Sequence, residues 1–431
     1  METSQRRVVV TGLGLATPLG LDVEENWRKV LDGVSGIGKL TLPDSLKSPV
    51  QAVGEVKAED WRRIREEFAG DAAIEGERRT LFALWAAKAA LEDAEFENCR
   101  ESRDRYGVFQ AAGLGINCLE DIRRWTGPEG RFNCLAFGRE YQKVSRESIV
   151  KNNSNRPSVL IAGKFELHGA NCTVTSACAS ATQAIGLAFR AIRMGEADLI
   201  VAGGADSMIN PMGLIFFVLL GAAATSTAFP PEHVSRPFDR KRLGLVMGEG
   251  AGFAVLEEES HALARGARIY AEVAGYGSTL DAYRLTAPDP RGEGAAGSMR
   301  AAIHDARMTP EEIDYINAHA TSTKLNDATE TAAVKQVFGE SARSLCISSS
   351  KSMIGHLLAA SGGPEFAFTV LSVNRDEVHP TVNLLNSDPK CDLDYVANIK
   401  RKRTVRAALS NSFGFGGQNA SILVRKYPNL D

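Results

Sequence analysis

Residues Val174–Ser180 read VTSACAS, a β-branched start followed by small residues, and the Ala-rich run Ala181–Met194 follows directly and closes at Gly195. This pattern predicts a strand, a tight connection and a helix, with Cys178 at the helix N-terminus. Unpaired N–H groups and the helix dipole at that end favour a thiolate. The stretch therefore indicates a nucleophilic cysteine. A small, buried, purely structural cysteine is the alternative.

The same alternation of strand-like and helix-like runs continues along the chain. Residues 8–12 are predicted as a strand and a glycine turn, residues 197–204 as another strand, and residues 81–94 carry apolar side chains at helical spacing. After the acidic run Glu257–Glu259 the pattern restarts, with residues 268–277 predicted as strand and glycine turn. The sequence thus predicts an α/β fold of two successive halves, residues 1–258 and 259–431. Within the first half, Gly127–Arg156 is the least regular segment, either a surface insertion or an interface loop.

Composition limits the classes of protein that the chain can represent. It has 431 residues, 44% hydrophobic and 24% charged, with a formal net charge of −3, which gives no support to a nucleic-acid or anionic-membrane partner. The most apolar stretch, Met212–Ala224, is too short to span a bilayer and reads as buried core or a pocket wall. The polar N-terminus and an odd count of 7 cysteines without a CxxC pair predict a cytoplasmic protein without disulfides.

Two histidines lie at the ends of strand-like runs. His319 follows Ile316-Asn317-Ala318, and His356 ends the stretch SSSKSMIGH. Histidines in loops rich in Ser, Thr and Gly are easier to interpret as functional than histidines on an apolar helix face, although a single one is more often structural. Neither has a second ligand at metal spacing, so the pattern predicts catalytic donors and no metal site.

A glycine-rich segment, NSFGFGGQN at Asn411–Asn419, carries two aromatic residues near the C-terminus. Its backbone N–H groups could line an anion site, although an ordinary tight turn would have the same composition. A GxGxxG match at Gly292–Gly297 follows a proline-rich loop instead of a strand, so we interpret it as chance.

Taken together and in order, four segments resemble the elongating β-ketoacyl-carrier-protein synthases of the thiolase-like superfamily, specifically the synthase II type. They are TSACAS, NAHATST, KSMIGH and NSFGFGG, supported by RRVVVTGLG, AGGAD, SRPFD, MGEGAGFAVLEE and CDLDYV. Each segment alone is a weak signal, but the ordered set is specific. The resemblance covers nearly the whole chain and is weakest over Gly127–Arg156.

The resemblance implies a five-layered αβαβα thiolase-like fold made of two related halves, and a dimer. It implies that Cys178 takes an acyl group from the phosphopantetheine thiol of an acyl carrier protein. Backbone N–H groups of Cys178 and Phe415 would form the oxyanion hole. His319 and His356 would assist decarboxylation of malonyl-carrier protein and stabilise the enolate that attacks the acyl-cysteine.

Further roles are implied only by positions that match the family. Lys351 and Glu365 would polarise and orient the histidine site, and Phe415 would gate it. The remaining assignments are pantetheine binding by Thr321 and Thr323, an acyl pocket lined by Phe217 and Leu114, and carrier-protein docking by Arg78 and Arg79. No cofactor is implied beyond the carrier's own phosphopantetheine arm. Two departures stand out, since Ala320 and Gly221 occupy places where the family usually has glycine and a basic residue.

The same segments distinguish this chain from other members of the superfamily. A degradative thiolase would carry a second cysteine in the C-terminal glycine loop, where this chain has Phe413 and Phe415. A non-catalytic chain-length partner would lack the nucleophile that Cys178 supplies. The pathway stays open between fatty-acid synthesis and a type II polyketide system, which TSTKLNDATETAA with Lys324 also resembles. A homodimer and a heterodimer with a ketosynthase-like partner therefore both remain possible.

Overall fold

The computed structural model describes residues 6–42, 48–71, 77–99, 103–115, 123–144 and 153–428. Its main sheet has ten strands. They are β1 (Val8–Ala16), β4 (Tyr106–Ala112), β5 (Asn171–Val174), β6 (Leu199–Asp206), β7 (Gly250–Glu258), β8 (Ala271–Leu280), β9 (Tyr315–Asn317), β10 (Cys346–Ser348), β13 (Ala407–Gly414) and β14 (Gln418–Arg425). Two short pairs are β2 (Gly38–Lys39) with β3 (Ala52–Val53), and β11 (Glu377–Val378) with β12 (Arg401–Lys402).

Helices cover both faces of this sheet and fill the space inside it. They are α1 (Val23–Leu31), α2 (Ala58–Glu67), α3 (Arg78–Asp93), α4 (Cys134–Glu140), α5 (Arg156–Phe165), α6 (Ser180–Arg193), α7 (Pro211–Leu219), α8 (Glu259–Ala264), α9 (Glu293–Asp305), α10 (Lys324–Phe338), α11 (Lys351–Ile354) and α12 (Gly362–Arg375). Among the described residues, no helix combines the length and apolar character that crossing a membrane requires.

The two halves of the sheet repeat one topology. Spatial order in the first is β1-β7-β6-β4-β5, and in the second it is β8-β14-β13-β9-β10. In each half the second strand is antiparallel to both neighbours, and the last three strands are parallel. This repeat confirms two related halves. Because β1 also pairs with β8 through Val8–Val10, hydrogen bonds join the halves, and a domain division at residue 258 stays a prediction.

The two halves of the sheet and the helices form five layers, with two buried helices in the middle layer. Helix α6 packs between β4 and β6 on one side and β8 and β14 on the other, and α12 lies beside it between β7 and β13. Helix α3 covers the outer face over β1 and β7, whereas α9 covers β8 and β14. Residues Gly362–Val373 of α12 are buried on every side, as expected for a helix enclosed between two sheets.

Glycines in the two central strands set how closely the outer helices approach. The sequence predicted turns at Gly12 and Gly277, and this was wrong, because β1 continues to Ala16 and β8 to Leu280. A Cβ on Gly12 would lie 2.1 Å from the Ala90 carbonyl oxygen of α3, and one on Gly277 would lie 2.0 Å from that of Ser298 in α9. These glycines therefore permit close strand–helix packing, in both halves alike.

Strand ends from both halves meet where the predicted site residues lie. Strand β5 ends just before Cys178, while β9 and β10 end shortly before His319 and His356. Strand β13 is parallel to β9 and ends at Gly414, next to Phe415. The carboxyl ends of parallel strands are where open α/β sheets bind ligands. The fold thus gathers four segments that are far apart in sequence.

The irregular segment is described only in part. Its described residues include α4, which lies on the surface with Leu135 76% exposed, and Tyr141 directly after it is 60% exposed. Trp125 packs edge-on against Phe137, with ring centroids 5.0 Å apart. Residues 145–152 lie outside the described part, so the choice between surface insertion and interface loop stays open.

Candidate active site

Cys178 lies on a tight connection between β5 and α6. The residue before it, Ala177, has a φ of 50°, and Ser180 holds the turn by accepting from the Ser176 N–H at 2.8 Å and donating to the Ala177 carbonyl at 2.6 Å. The Cys178 side chain is buried, and its sulfur lies 3.1 Å from Nε2 of His356. A strained elbow of this kind presents the sulfur in one fixed direction.

His356 is held in one tautomer by its other ring nitrogen. Nδ1 accepts the Leu358 backbone N–H at 3.3 Å and lies 2.7 Å from the Ser361 hydroxyl. Because a backbone N–H can only donate, the ring proton is on Nε2, which faces the Cys178 sulfur. Burial, followed by the charge of Lys351, lowers the pKa of His356 well below its usual value, so the imidazole is neutral.

His319 stands edge-on to His356, with ring centroids 5.3 Å apart and an interplanar angle of 83°. Burial and the nearby Lys351 lower the pKa of His319 well below its usual value. Two neutral imidazoles beside one sulfur can each donate a single N–H toward a bound oxygen. The pair can therefore stabilise negative charge that develops on a substrate.

A buried carboxylate that sequence reasoning missed fixes the His319 turn. Glu330 of α10 accepts the backbone N–H of His319 at 2.9 Å and that of Ala320 at 2.8 Å. Ala320 has a φ of 20°, at the edge of the left-handed region, which explains why glycine is usual there. Burial raises the pKa of Glu330 to about 7, although the hydrogen bonds from the two N–H groups oppose this rise. The sequence carries no signal for this role, because Glu330 binds backbone groups and its burial with Asp327 on one face of α10 is seen only in the structure.

Lys351 and Glu365 form an ion pair beneath the histidines, and each side chain is only 1% exposed. Burial raises the pKa of Glu365 to about 7, against the opposing effect of Lys351. The same lysine lowers the pKa values of His319 and His356, after burial. The predicted polarising pair thus lies where its charge reaches both imidazoles.

The glycine-rich loop completes the surroundings of the sulfur. The backbone N–H of Phe415 faces the Cys178 sulfur and lowers the pKa of its thiol, against the larger effect of burial. The Phe415 ring lies over that of Phe217, with centroids 6.3 Å apart and planes 29° apart, against an apolar cluster that includes Met208, Leu214 and Leu245. The structure therefore brings the predicted gating residue and one predicted acyl-pocket residue together.

A cavity of about 530 Å³ leads to this centre. Cys178, His319 and His356 line it, together with Thr321 and Thr323, whose hydroxyl oxygens are 3.0 Å apart. Both threonines therefore lie on the wall of the cavity that leads to the sulfur, and their role in pantetheine binding stays a prediction.

Three predicted residues lie away from this cavity. Leu114 is 54% exposed, and its carbonyl accepts from Arg79 at 3.0 Å. Carrier docking by Arg79 was wrong, because its side chain is fully buried and pairs with Glu77 at 2.9 Å. Arg78 is partly exposed, but it pairs with the buried Glu249 and stacks over a tryptophan ring. Docking by Arg78 stays a prediction.

The thiol and the two imidazoles also form a possible metal-ligand set. Ligand atoms of Cys178, His319 and His356 all lie within 4.8 Å of one another, although sequence spacing had not paired them. Such donors suit zinc in principle. However, the Lys351 charge that already disfavours protonated histidines would also oppose a dication. The donor set fits acyl chemistry better, and the absence of a metal stays a prediction.

The reactivity of Cys178 toward iodoacetamide should rise steadily with pH. Burial raises the pKa of the thiol to about 11, and this outweighs the lowering effects of Lys351 and the Phe415 N–H. Because only the thiolate reacts, alkylation should increase about tenfold per pH unit between roughly pH 7 and 10. Peptide mass spectrometry would measure it, with the exposed Cys134 as internal reference. A plateau by about pH 8 would instead show that the helix N-terminus dominates.

Comparisons with known proteins agree with this geometry. Family models for the "Beta-ketoacyl synthase, N-terminal domain" and "Beta-ketoacyl synthase, C-terminal domain" match residues 5–262 and 270–385. A 3-oxoacyl-[acyl-carrier-protein] synthase 2 of Synechocystis sp. is 42% identical over 428 residues, covering 98% of this chain and 99% of the relative. Its namesake in Staphylococcus aureus is 38% identical over 426 residues, covering 99% of each.

Solved structures show the same fold. A type II polyketide acyl-carrier protein in complex with its ketosynthase, AntDE:AntF, includes a chain with a TM-score of 0.87 and 32% identity, covering 98% of this chain and 100% of that one. A β-ketoacyl synthase from Burkholderia phymatum has a TM-score of 0.83 and 34% identity, with the same coverage. These likenesses confirm the thiolase-like fold class, that of enzymes that condense acyl groups.

The chain belongs to the β-ketoacyl synthase family. It has the activity of a β-ketoacyl-[acyl-carrier-protein] synthase, an acyltransferase of fatty-acid or type II polyketide biosynthesis.

Proposed function

We propose that Cys178 carries the growing acyl group between two half-reactions. Its sulfur attacks the thioester carbonyl of an acyl-carrier protein, the carrier's pantetheine sulfur leaves, and the proton lost by the thiol goes to that sulfur. The observation that supports this role is the convergence on one sulfur of the His356 Nε2–H, at 3.1 Å, and the Phe415 backbone N–H. N–H groups of Cys178 and Phe415 would stabilise the tetrahedral oxyanion.

In the second half-reaction a malonyl-carrier protein occupies the same cavity. Loss of CO₂ leaves its electron pair as an enolate, whose oxygen accepts N–H bonds from His319 and His356. The enolate carbon then attacks the acyl thioester on Cys178, forms the new carbon–carbon bond and releases the thiolate. Donors aimed at a developing oxyanion are each worth roughly 10²–10³ in rate.

The remaining side chains position these groups. Burial, together with the charge of Lys351 in its pair with Glu365, keeps both imidazoles neutral and therefore able to donate without carrying charge. The hydroxyls of Thr321 and Thr323 lie in the cavity where the pantetheine arm would pass. Phe217 and Phe415 supply apolar surface beside the sulfur for the acyl chain.

For the pathway we infer single two-carbon extensions by a homodimer. The 42% and 38% identities to synthase 2 enzymes exceed the 32% identity to the polyketide complex. A second candidate, a polyketide ketosynthase that needs a cysteine-less partner, is favoured by the TSTKLND segment with Lys324. The partner in either case is an acyl carrier protein.

Product analysis tests both candidates. We expect the chain alone, given malonyl-carrier protein and a graded series of saturated acyl primers, to extend each accepted primer by one two-carbon unit. Mass spectrometry of the acyl groups left on the carrier would show this, with a Cys178→Ala variant as the blank. No extended product from the chain alone, followed by poly-β-keto products once a cysteine-less partner is added, would establish the second candidate. Failure under both conditions would overturn the proposed function.

A further inference from the structure

A buried serine contacts the ring of His356 through the nitrogen that does not face Cys178. Ser361 is 1% exposed, and its hydroxyl oxygen lies 2.7 Å from His356 Nδ1. Because Nδ1 already accepts the Leu358 backbone N–H, it carries no proton, and the Ser361 hydroxyl must donate to it. The Leu358 nitrogen is 3.3 Å away. Ser361 therefore makes the shorter of the two hydrogen bonds that hold this ring nitrogen.

Helix capping does not account for the Ser361 hydroxyl. The residue directly precedes α12, where a serine side chain normally accepts a backbone N–H of the first helical turn. Ser361 makes no side-chain cap bond, and its φ of −49° and ψ of −45° are already helical. The hydroxyl contacts the imidazole instead of the helix end, which indicates a role at the active site.

The turn between His356 and Ser361 brings both donors back to one nitrogen. Leu358 has a φ of 53°, in the left-handed region that a leucine rarely adopts. The buried Asp206 carboxylate holds this turn by accepting the Ala359 N–H at 3.1 Å. Strained backbone of this kind persists where neighbouring contacts over-determine it, and it is concentrated at functional sites.

The backbone of His356 is fixed independently of Ser361. Its N–H donates to the Val246 carbonyl at 2.7 Å, and its carbonyl accepts the Gly248 N–H at 2.8 Å. These two bonds set where the residue lies, but they fix neither the rotation of the ring nor the nitrogen that carries its proton. The Ser361 hydroxyl restrains both, because it needs Nδ1 as an acceptor at one position.

We propose that Ser361 is a positioning residue for the condensation step, which holds the His356 ring so that its Nε2–H faces the centre at Cys178. This rests on the proposed function, in which that N–H stabilises the enolate. A hydrogen bond donated to Nδ1 also polarises the ring, which makes the Nε2–H a stronger donor. Ser361 thereby selects one tautomer of a neutral imidazole without placing a charge beside it.

Ser361→Ala tests this role, with Ser372→Ala as the matched control, since Ser372 is fully buried on α12 and lies outside the cavity lining. In Ser361→Ala, the maximal rate of condensation from pre-formed acyl-Cys178 should fall about tenfold, because a buried acceptor loses its closer donor. The half-saturating concentration of malonyl-carrier protein should stay unchanged, since only the transition state uses the Nε2–H. The control should keep both values. A maximal rate equal to the control's, or a loss confined to the half-saturating concentration, would overturn the proposal.

Nitrogen-15 NMR of the His356 ring supplies a readout that does not depend on activity. In histidine-labelled wild-type protein, with the resonances assigned by their loss in His356→Gln, Nε2 should carry the proton and Nδ1 should be a hydrogen-bonded acceptor. In Ser361→Ala, the Nδ1 resonance should shift toward that of a free acceptor. A proton on Nδ1 in the wild-type protein would overturn the proposal even if Ser361→Ala failed to fold.

The two proposals fail in different ways. If the wild-type protein forms no acyl-enzyme and extends no primer, the proposed function has failed. If it condenses normally while Ser361→Ala matches Ser372→Ala, only the role of Ser361 has failed.

Discussion

Replacing Cys178 with alanine should abolish acyl-enzyme formation, a loss of at least about 10⁴-fold. No other group at the centre can substitute, because His319 and His356 are buried neutral donors and Lys351 is occupied by its ion pair with Glu365. Intact-protein mass spectrometry after incubation with an acyl-carrier protein would measure the added acyl mass. Thermal unfolding should change little, since alanine fits the same turn with one atom fewer.

Cys172→Ala is the matched control for this experiment. Cys172 lies on β5, close in sequence to Cys178, but it is half-buried in the strand and lies outside the cavity lining. The control should acquire acyl mass like the unmodified chain. Acyl mass retained by a folded Cys178→Ala variant would place the nucleophile elsewhere and contradict the proposed chemistry.

The catalytic side chains could be predicted from sequence because each lies within a local signal. Cys178, His319 and His356 each lie shortly after a strand, among small or hydroxylated residues, and the structure brings all three within 4.8 Å. Their convergence, however, depends on the pairing of β9 with both β10 and β13, which no single segment encodes. The resemblance to a family supplied that step.

Glu330 could not be found in the same way. Its partners are the backbone N–H groups of His319 and Ala320, which have no side-chain signature. Only the return of α10 against the loop after β9 reveals the contact. The φ of 20° at Ala320 shows why this support matters, since an L-residue there needs two hydrogen bonds to hold its conformation.

Two further differences have identifiable physical causes. Glycine after a β-branched run is typical both of a turn and of a strand in close contact with a helix, and Gly12 and Gly277 are of the second kind. Arginine at a helix start is typical of a surface, but Arg79 is enclosed with Glu77 and donates to the Leu114 carbonyl. In both cases tertiary packing decides what the residue type alone leaves ambiguous.

Removing either histidine should separate the two half-reactions. In His319→Ala and His356→Ala, acylation of Cys178 should stay measurable, while condensation should fall by roughly 10²–10³ for each lost donor. The reason is that the acyl-transfer oxyanion is assigned to the Cys178 and Phe415 N–H groups, whereas the enolate oxygen depends on the imidazoles. Acyl-enzyme mass and the rate of CO₂ release from malonyl-carrier protein would be measured on the same samples.

A His356→Gln variant sharpens this test, because it returns one N–H donor without an imidazole. The tautomer fixed by the Leu358 N–H places the His356 proton on Nε2, so a donor near that position should recover part of the condensation rate. Both histidines are already neutral, since burial and Lys351 lower their pKa values. Titration of the histidines should therefore cause no loss of condensation from pre-formed acyl-Cys178 as the pH falls from about 8 through 6.5, where an ordinary histidine would become charged. Normal condensation by a folded His356→Ala variant would instead remove His356 from the donor pair and leave its contact with the Cys178 sulfur as a purely structural one.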